Sequence, residues 1–167
     1  VGTYEPLALT DGSALIRCPN CDVDGLADMG RVDIIRLGNG ATTLTNPHSF
    51  ATNPTGTSTL LASDIKTLLD AGTAVTLQAN NNITLSAALS AANPGGNGGA
   101  LTLQAGKSIF LNGNITTDNG SLTLVANETV AAGVIDADRN AGAAVITMAS
   151  GTSINAGTGT VNMTLKA

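Results

Sequence analysis

Apolar and hydroxyl-bearing residues alternate through the second half of the chain in a pattern that returns four times. Its copies read VTLQANNNITL from Val75, LTLQAGKSIFL from Leu101, LTLVANETVAA from Leu122 and ITMASGTSINA from Ile146. Leu77, Leu103, Leu124 and Met148 stand two residues after each opening, with Thr76, Thr102, Thr123 and Thr147 between. Apolar inward and hydroxyl outward at every second residue is the period of a half-exposed strand. Small residues follow (Ala79, Ala105, Ala126 and Ser150), and then Asn80, Gly106, Asn127 and Gly151. Asn and Gly tolerate a left-handed backbone, so these four are predicted corners. A second strand is predicted from Ile83, Ile109, Val130 and Ile154, at a constant step from the first. A third apolar point recurs at Leu89, Ile115, Val134 or Ile135, and Val161.

Three short strands and three corners in roughly twenty-odd residues is a solenoid period. The expected fold is all-β, a right-handed parallel β-helix with three short strands per coil over residues 73–167. Its varying spacing is expected to be absorbed at one corner, where Asn93-Pro-Gly-Gly-Asn-Gly-Gly99 is the longest excursion. Inserts confined to one corner leave the strands in register with the coils above and below. A meander or sandwich is the competing arrangement, but it needs a hairpin turn between every pair of neighbours.

Upstream, residues 63–72 carry a helix signal, with the helical turns near residues 64–71. Ser63 is a candidate N-cap, Asp64 suits the first turn, and Ile65, Leu68 and Leu69 share a face. Gly72 offers a left-handed stop. Two turns cannot stand alone, so this helix must lie on the open end or flank of the coils. Residues 1–62 read as an irregular β-rich cap or as elaborated first coils. Asp11-Gly12 is a turn between two apolar stretches, and Val32, Ile34 and Leu37 read as a strand. From Pro47 through Pro54 and the Thr, Ser and Gly that follow, the chain reads as an irregular loop.

Composition narrows the picture. Hydrophobic residues are 43% but aromatics only 2%, so thin layers of Val, Ile, Leu and Ala must make the core. Charged residues are 11%, and the formal net charge is −5. That balance argues against a nucleic acid partner, and no apolar run reaches the roughly 20 residues of a membrane span. The chain starts at Val1 without Met, which reads as a processed product or excised segment. Low charge with abundant Asn, Thr and Ser points to a secreted or cell-surface setting.

Candidate chemistry is sparse. Cys18-Pro-Asn-Cys21 could be redox-active, half of a zinc site, or a small disulfide loop. Zinc needs four ligands and only His48 is offered beyond the pair, while a redox role wants a βαβ context. A disulfide clamping an exposed loop is the expectation, with an intermolecular bridge as the alternative. Asp22, Asp24 and Asp28 lack the spacing and closing Glu of a calcium loop and read as a solvated turn. A β-helix can also carry carbohydrate chemistry, which needs two carboxylates on one groove. The repeat region offers Asp118, Glu128, Asp136 and Asp138, with Arg139 beside the last two and no aromatic platform for sugar. Solvated turn charges are the better reading. The chain is therefore not read as an enzyme, and no metal or cofactor is expected. The Thr column lacks the second aligned column that ice binding needs, and the sequons at Asn82, Asn114, Asn119, Asn127 and Asn162 arise readily in Asn- and Thr-rich turns.

The copies, together with NGNITTDNGSLTL and the lead-in SDIKTLLDAGTAVTLQANNNITL, resemble the repeats of filamentous-haemagglutinin-type exoproteins of two-partner secretion and related giant bacterial adhesins. The resemblance covers roughly residues 63–165 and rests on degenerate motifs. It implies a right-handed β-helix on or released from a bacterial surface, acting as a stalk or adhesive fibre. The secretion domain usual in such exoproteins is not evident in this sequence. The expected partner is self, as a head-to-tail homopolymer or as neighbouring coils of a longer chain, with host or surface glycans as further candidates. Val161, Met163 and Leu165, alternating in the last strand, are the predicted assembly edge. A carbohydrate-binding or carbohydrate-cleaving β-helix is the alternative function.

Overall fold

The computed structural model describes residues 44–167 and, as backbone strands, three short segments before them. In chain order the strands are β1 (Leu7–Ala8), β2 (Ala14–Leu15), β3 (Arg31–Ile35) and β4 (Thr57–Leu61), followed by the helix α1 (Ala62–Asp70). Then come β5 (Val75–Ala79), β6 (Ile83–Leu85), β7 (Leu89–Ser90), β8 (Leu101–Ala105), β9 (Ile109–Leu111), β10 (Ile115–Thr116) and β11 (Leu122–Ala126). The last three are β12 (Ile146–Met148), β13 (Ile154–Asn155) and β14 (Val161–Leu165). Apart from the antiparallel pair β1–β2, every strand pairing among the described residues is parallel.

Three parallel sheets result, in the orders β14-β11-β8-β5, β12-β9-β6-β3-β4 and β13-β10-β7. Successive coils contribute one strand to each, which is the stacking of a parallel β-solenoid. The alternation seen in the sequence explains why. Val75, Leu101 and Leu122 fall opposite one another, as do Leu77, Leu103 and Leu124, and all six are buried. Ile83 with Ile109 and Leu85 with Leu111 make the second sheet's columns, and Leu89 with Ile115 the third's. These columns merge into one core of Leu, Ile, Val and Ala. At about 25 cal/mol per Å² of apolar surface, burial of such columns supplies the main stabilisation.

The fourth copy does not occupy the place its sequence predicts. Ile146 lies opposite Ile109 and Met148 opposite Leu111, so ITM belongs to the second sheet. Ile154 lies opposite Ile115, in the third sheet. The column of Val75, Leu101 and Leu122 continues at Val161, and Asn162 rather than Thr147 extends the column of Thr76, Thr102 and Thr123. Val130 is no strand opener. It sits exposed in a 3-10 turn, Val130–Ala132, and a second such turn spans Asp136–Asp138. Residues 127–145 thus form an excursion between first and second strands, so inserts occur at two corners and not one.

The corners also differ in backbone. Asn127 (φ 54°) and Gly151 (φ 80°) are left-handed as predicted, but Gly151 turns between β12 and β13 and is not in line with the other three. Asn80 and Gly106 are not among the positive-φ residues. Gly106 is small for a different reason: a Cβ there would lie 2.2 Å from the Asn80 carbonyl oxygen and 3.0 Å from Val134 Cγ1.

The helix starts one residue earlier than its predicted cap. The N-cap position is Leu61, without a side-chain hydrogen bond, and Ser63 lies inside the first turn. Ile65 and Leu69 are buried and Leu68 packs partly against the core, while Gly72 turns left-handed (φ 73°) after the last turn. The Thr, Ser and Gly stretch after Pro54 is not all loop, because Thr57–Leu61 pairs with β3 and buries Ser58 and Leu60. Cys18, Cys21, Asp22, Asp24 and Asp28 lie outside the described residues.

Candidate functional site

The two ends of the coil stack are unlike. At one end α1 runs across the stack and touches β4, β5 and β7, one strand of each sheet. Its buried face, Ala62, Ile65 and Leu69, closes the core there. The neighbouring edge of β5 is covered by a single bridge, His48 to Leu77, with His48 N–H donating to the Thr76 carbonyl (2.9 Å) and Gln78 N–H to the His48 carbonyl (2.7 Å). Pro47, which precedes it, has its nitrogen on the edge turned away from β5. Asn46 completes the seal, its Nδ2 donating to the Ala74 carbonyl (2.7 Å) and its Oδ1 accepting from Thr76 N–H (3.1 Å). His48 is buried, and burial pushes its pKa below the usual 6.5.

At the other end stand β12, β13 and β14, and nothing in the described chain lies over them. The inward columns that are fully buried two rungs below emerge here. Val161 is 40% exposed, Met163 49%, Leu165 54% and Met148 41%, against 0% for Leu103 and Leu124. Backbone polarity is equally one-sided. Each rung's first residue donates forward to the next coil: Val75 N–H to the Ala100 carbonyl (2.8 Å), Leu101 to Ser121 (2.9 Å) and Leu122 to Thr160 (2.8 Å). On the last rung Thr160 C=O and Lys166 N–H face back, the latter to the Ala126 carbonyl (3.1 Å). Because N–H and C=O alternate edge along a strand, those of Val161, Met163 and Leu165 point off the end of the stack. The predicted assembly edge is a strand, and its three named residues are the ones whose backbone is turned outward.

A polar clamp holds this last rung down. Glu128 is buried, and its Oε1 pairs with Lys166 Nζ and accepts from Thr129 N–H (2.9 Å), while Oε2 accepts from Gln104 Nε2 (3.4 Å). Gln78 Nε2 in turn donates to Gln104 Oε1 (2.6 Å), so a polar ladder crosses three rungs. Burial raises the Glu128 pKa, but the Lys166, Thr129 and Gln104 hydrogen bonds and the Lys166 charge outweigh it and hold the carboxyl below its ordinary value. Asn127 Nδ2 adds a bond to the Lys166 carbonyl (3.0 Å).

The corner residues serve as anchors more than as turns. Asn80 is buried, donating from Nδ2 to the Phe50 (3.1 Å) and Pro54 (3.0 Å) carbonyls and accepting on Oδ1 from Ile135 N–H (2.9 Å). It thereby ties the 44–56 segment and the 127–145 excursion to one corner. Arg139 fastens the excursion from the other side, donating to the Gly106 carbonyl (3.1 Å), Asn127 Oδ1 (3.3 Å) and the Glu128 carbonyl (3.1 Å) and pairing with Asp136. Asn81 exchanges bonds with the Asp138 carbonyl (2.5 Å) and Asn140 N–H (2.6 Å). Sequence reasoning missed Asn81, Arg139 and Lys166 as organisers, since none recurs from coil to coil.

Of the four acids considered for carbohydrate chemistry, Asp118 accepts from Asn93 N–H (2.6 Å), Glu128 is paired with Lys166 and Asp136 with Arg139. Asp136 and Asp138 lie together in a 3-10 turn. Among the described residues, no group of three or more His, Cys, Asp or Glu side chains is gathered so as to hold a metal ion, and no helix is long and apolar enough to cross a membrane. No family model matches the sequence, and neither curated proteins nor solved structures give a significant match.

Proposed function

We propose that the chain is a structural β-solenoid segment or subunit of a bacterial extracellular or cell-surface fibre or adhesin, its coils right-handed, and that the β14 end is the surface on which further coils stack. The observation that carries this reading is the emergence of the core columns at Val161, Met163, Leu165 and Met148, in register with the rungs below and with outward-turned backbone groups. An apolar cross-section with unpaired strand edges is costly to leave in water and is ready-made for strand addition. The low charge and the resemblance of the repeats to filamentous-haemagglutinin-type exoproteins support the surface setting. Since α1 lies across the opposite end, stacking is assigned to the β14 end alone.

The test is a fusion that appends residues 82–105 after Ala167, which keeps the step from first to second strand. If the end is a stacking template, the fusion melts higher than the parent chain, and the amide protons of Val161, Met163 and Leu165 become protected from exchange. An appended segment that remains unfolded, with no change in melting or protection, defeats the proposal.

A further inference from the structure

Residues 44–49 run as a strap along the outer edge of β5. The strap forms no strand of its own and makes a single isolated bridge. It nevertheless covers four successive backbone groups on that edge. Asn46 bonds to the Ala74 carbonyl and to Thr76 N–H, and His48 bonds to the Thr76 carbonyl and to Gln78 N–H. The register of the bridge sets the imidazole in the inward column, one rung beyond Leu77, where it is 1% exposed. A buried side chain therefore pins the strap, and His48 is the one titratable residue from 44 to 56.

A charged imidazole has no partner in that place. The Thr45 hydroxyl lies 3.5 Å from Nδ1, too far for a strong bond. β5 and β4 contain no titratable residue. The helix turns Ala62, Ile65 and Leu69 toward the core, while Asp64 is exposed and Lys66 is paired with Asp70. On β3, Arg31 and Asp33 hold the register positions of Thr57 and Thr59, the alternate set to buried Ser58 and Leu60. Glu128 follows β11, two rungs from β5, and is engaged by Lys166. Asp136, Asp138 and Arg139 gather at the Asn80–Asn81 corner, where Asp136 and Arg139 pair. With no carboxylate to offset it, desolvation disfavours the charged ring and holds its pKa below 6.5.

The strap is also separable from the stack. β5 keeps its other edge on β8, beginning with Val75 N–H on the Ala100 carbonyl. Asn80 holds the Phe50 and Pro54 carbonyls, which confines an opening to the residues before Phe50. Once open, the imidazole stands in water and titrates near 6.5. Above that pH both forms are neutral and closure keeps its full strength. As pH falls further, the open form takes up a proton that the closed form does not, until the lower pKa of the closed form is reached.

We propose that residues 44–49 are an acid-released strap: neutral His48 latches them over the β5 edge, and a proton on its ring frees them while the coils stay stacked. Release uncovers the backbone of Thr76 and Gln78, turning a guarded edge of the first sheet into an open one. The device belongs to the α1 end and is independent of what stacks on β14.

Amide exchange of the chain from about pH 7.5 to about pH 5, corrected for the intrinsic effect of pH, is the test. Asp70 and Glu128 are both held below ordinary carboxylate values and stay ionised over that span. Protection of the Thr76 and Gln78 amides should fall by up to about tenfold per pH unit below 6.5, the slope of one proton. Val75, on the same strand but bonded to the next coil, should keep its protection. His48→Gln, which takes up no proton, should abolish the fall, and His48→Leu serves in its place should the first variant misfold. Protection at Thr76 and Gln78 that is flat with pH, a fall that Val75 shares in equal measure, or a folded His48 variant that keeps the fall would each overturn the proposal.

Discussion

Truncating one column at two heights tests whether the stack is open where the structure places its end. Leu103 and Met163 belong to the same inward column, two rungs apart through Leu124, but Leu103 is 0% exposed and Met163 49%. Leu103→Ala deletes three carbons from a site packed by rungs on both sides. At about 0.8 kcal/mol per buried methylene the transfer loss is about 2.4 kcal/mol, and the cavity that the rigid rungs cannot close brings the total to about 3–4 kcal/mol. Met163→Ala deletes a side chain that is half in water and leaves a space that solvent fills, so the cavity contribution vanishes and about 1 kcal/mol remains. Urea unfolding followed by circular dichroism, at a concentration where the chain is monomeric, gives both differences. The midpoint should move and the slope should hold. In a solenoid each rung couples only to its neighbours, so the interior variant is expected to cost about three times the terminal one. Equal costs at the two positions would refute an open end, and a loss under about 1 kcal/mol at Leu103 would refute a continuous column.

Two further outcomes follow from single side chains. Asn80→Ala leaves the Phe50 and Pro54 carbonyls and Ile135 N–H without partners, at about 1 kcal/mol each, so stability should fall by about 2–3 kcal/mol. Hydrogen exchange should quicken in residues 44–56 and 127–145 together; a change in only one of them would break the claim that Asn80 ties both. His48 is held neutral by burial, with a folded pKa below 6.5, so the unfolded chain binds a proton first and stability should decline as pH falls below about 6.5. His48→Leu, which continues the apolar column at Leu77, should flatten that decline in a pH series of thermal melts, and an unchanged slope would show that other groups cause it.

The fixed backbone bonds of the rungs are supplemented by Asn side chains that reach to the next coil. Asn82 Oδ1 accepts from Ser108 N–H (3.1 Å), Asn114 Oδ1 from Ser153 N–H (2.9 Å) and Asn119 Oδ1 from Thr158 N–H (2.8 Å). The Asn-rich repetition in this sequence is therefore structural, a short polar side chain at three corners accepting from the backbone of the next coil. It also explains why so little charge is needed. Polar groups near the corners are satisfied largely by hydrogen bonds within the stack, with Arg139–Asp136 and Lys166–Glu128 as ion pairs beside them.

Whereas Thr57–Leu61 and the turn at Val130 were misread, the strands β5, β8 and β11 and their inward faces were legible because alternation has a period of two, which any short sequence displays. So were α1 and its left-handed stop at Gly72, since both depend on neighbours in the chain. The strand at Val161–Leu165 was legible for the same reason. What could not be read was which sheet each strand of the last coil joins. All three sides of a coil bury one face of a short strand and so share one motif of the type Ile-Thr-Leu; only spacing tells them apart, and the 127–145 excursion removes the spacing. Its path is decided by Asn80, Asn81 and Arg139, which bond to residues tens of positions away. The closing of the core at the α1 end was likewise decided in three dimensions, because a helix covers a core only where the tertiary structure lays it across the strands.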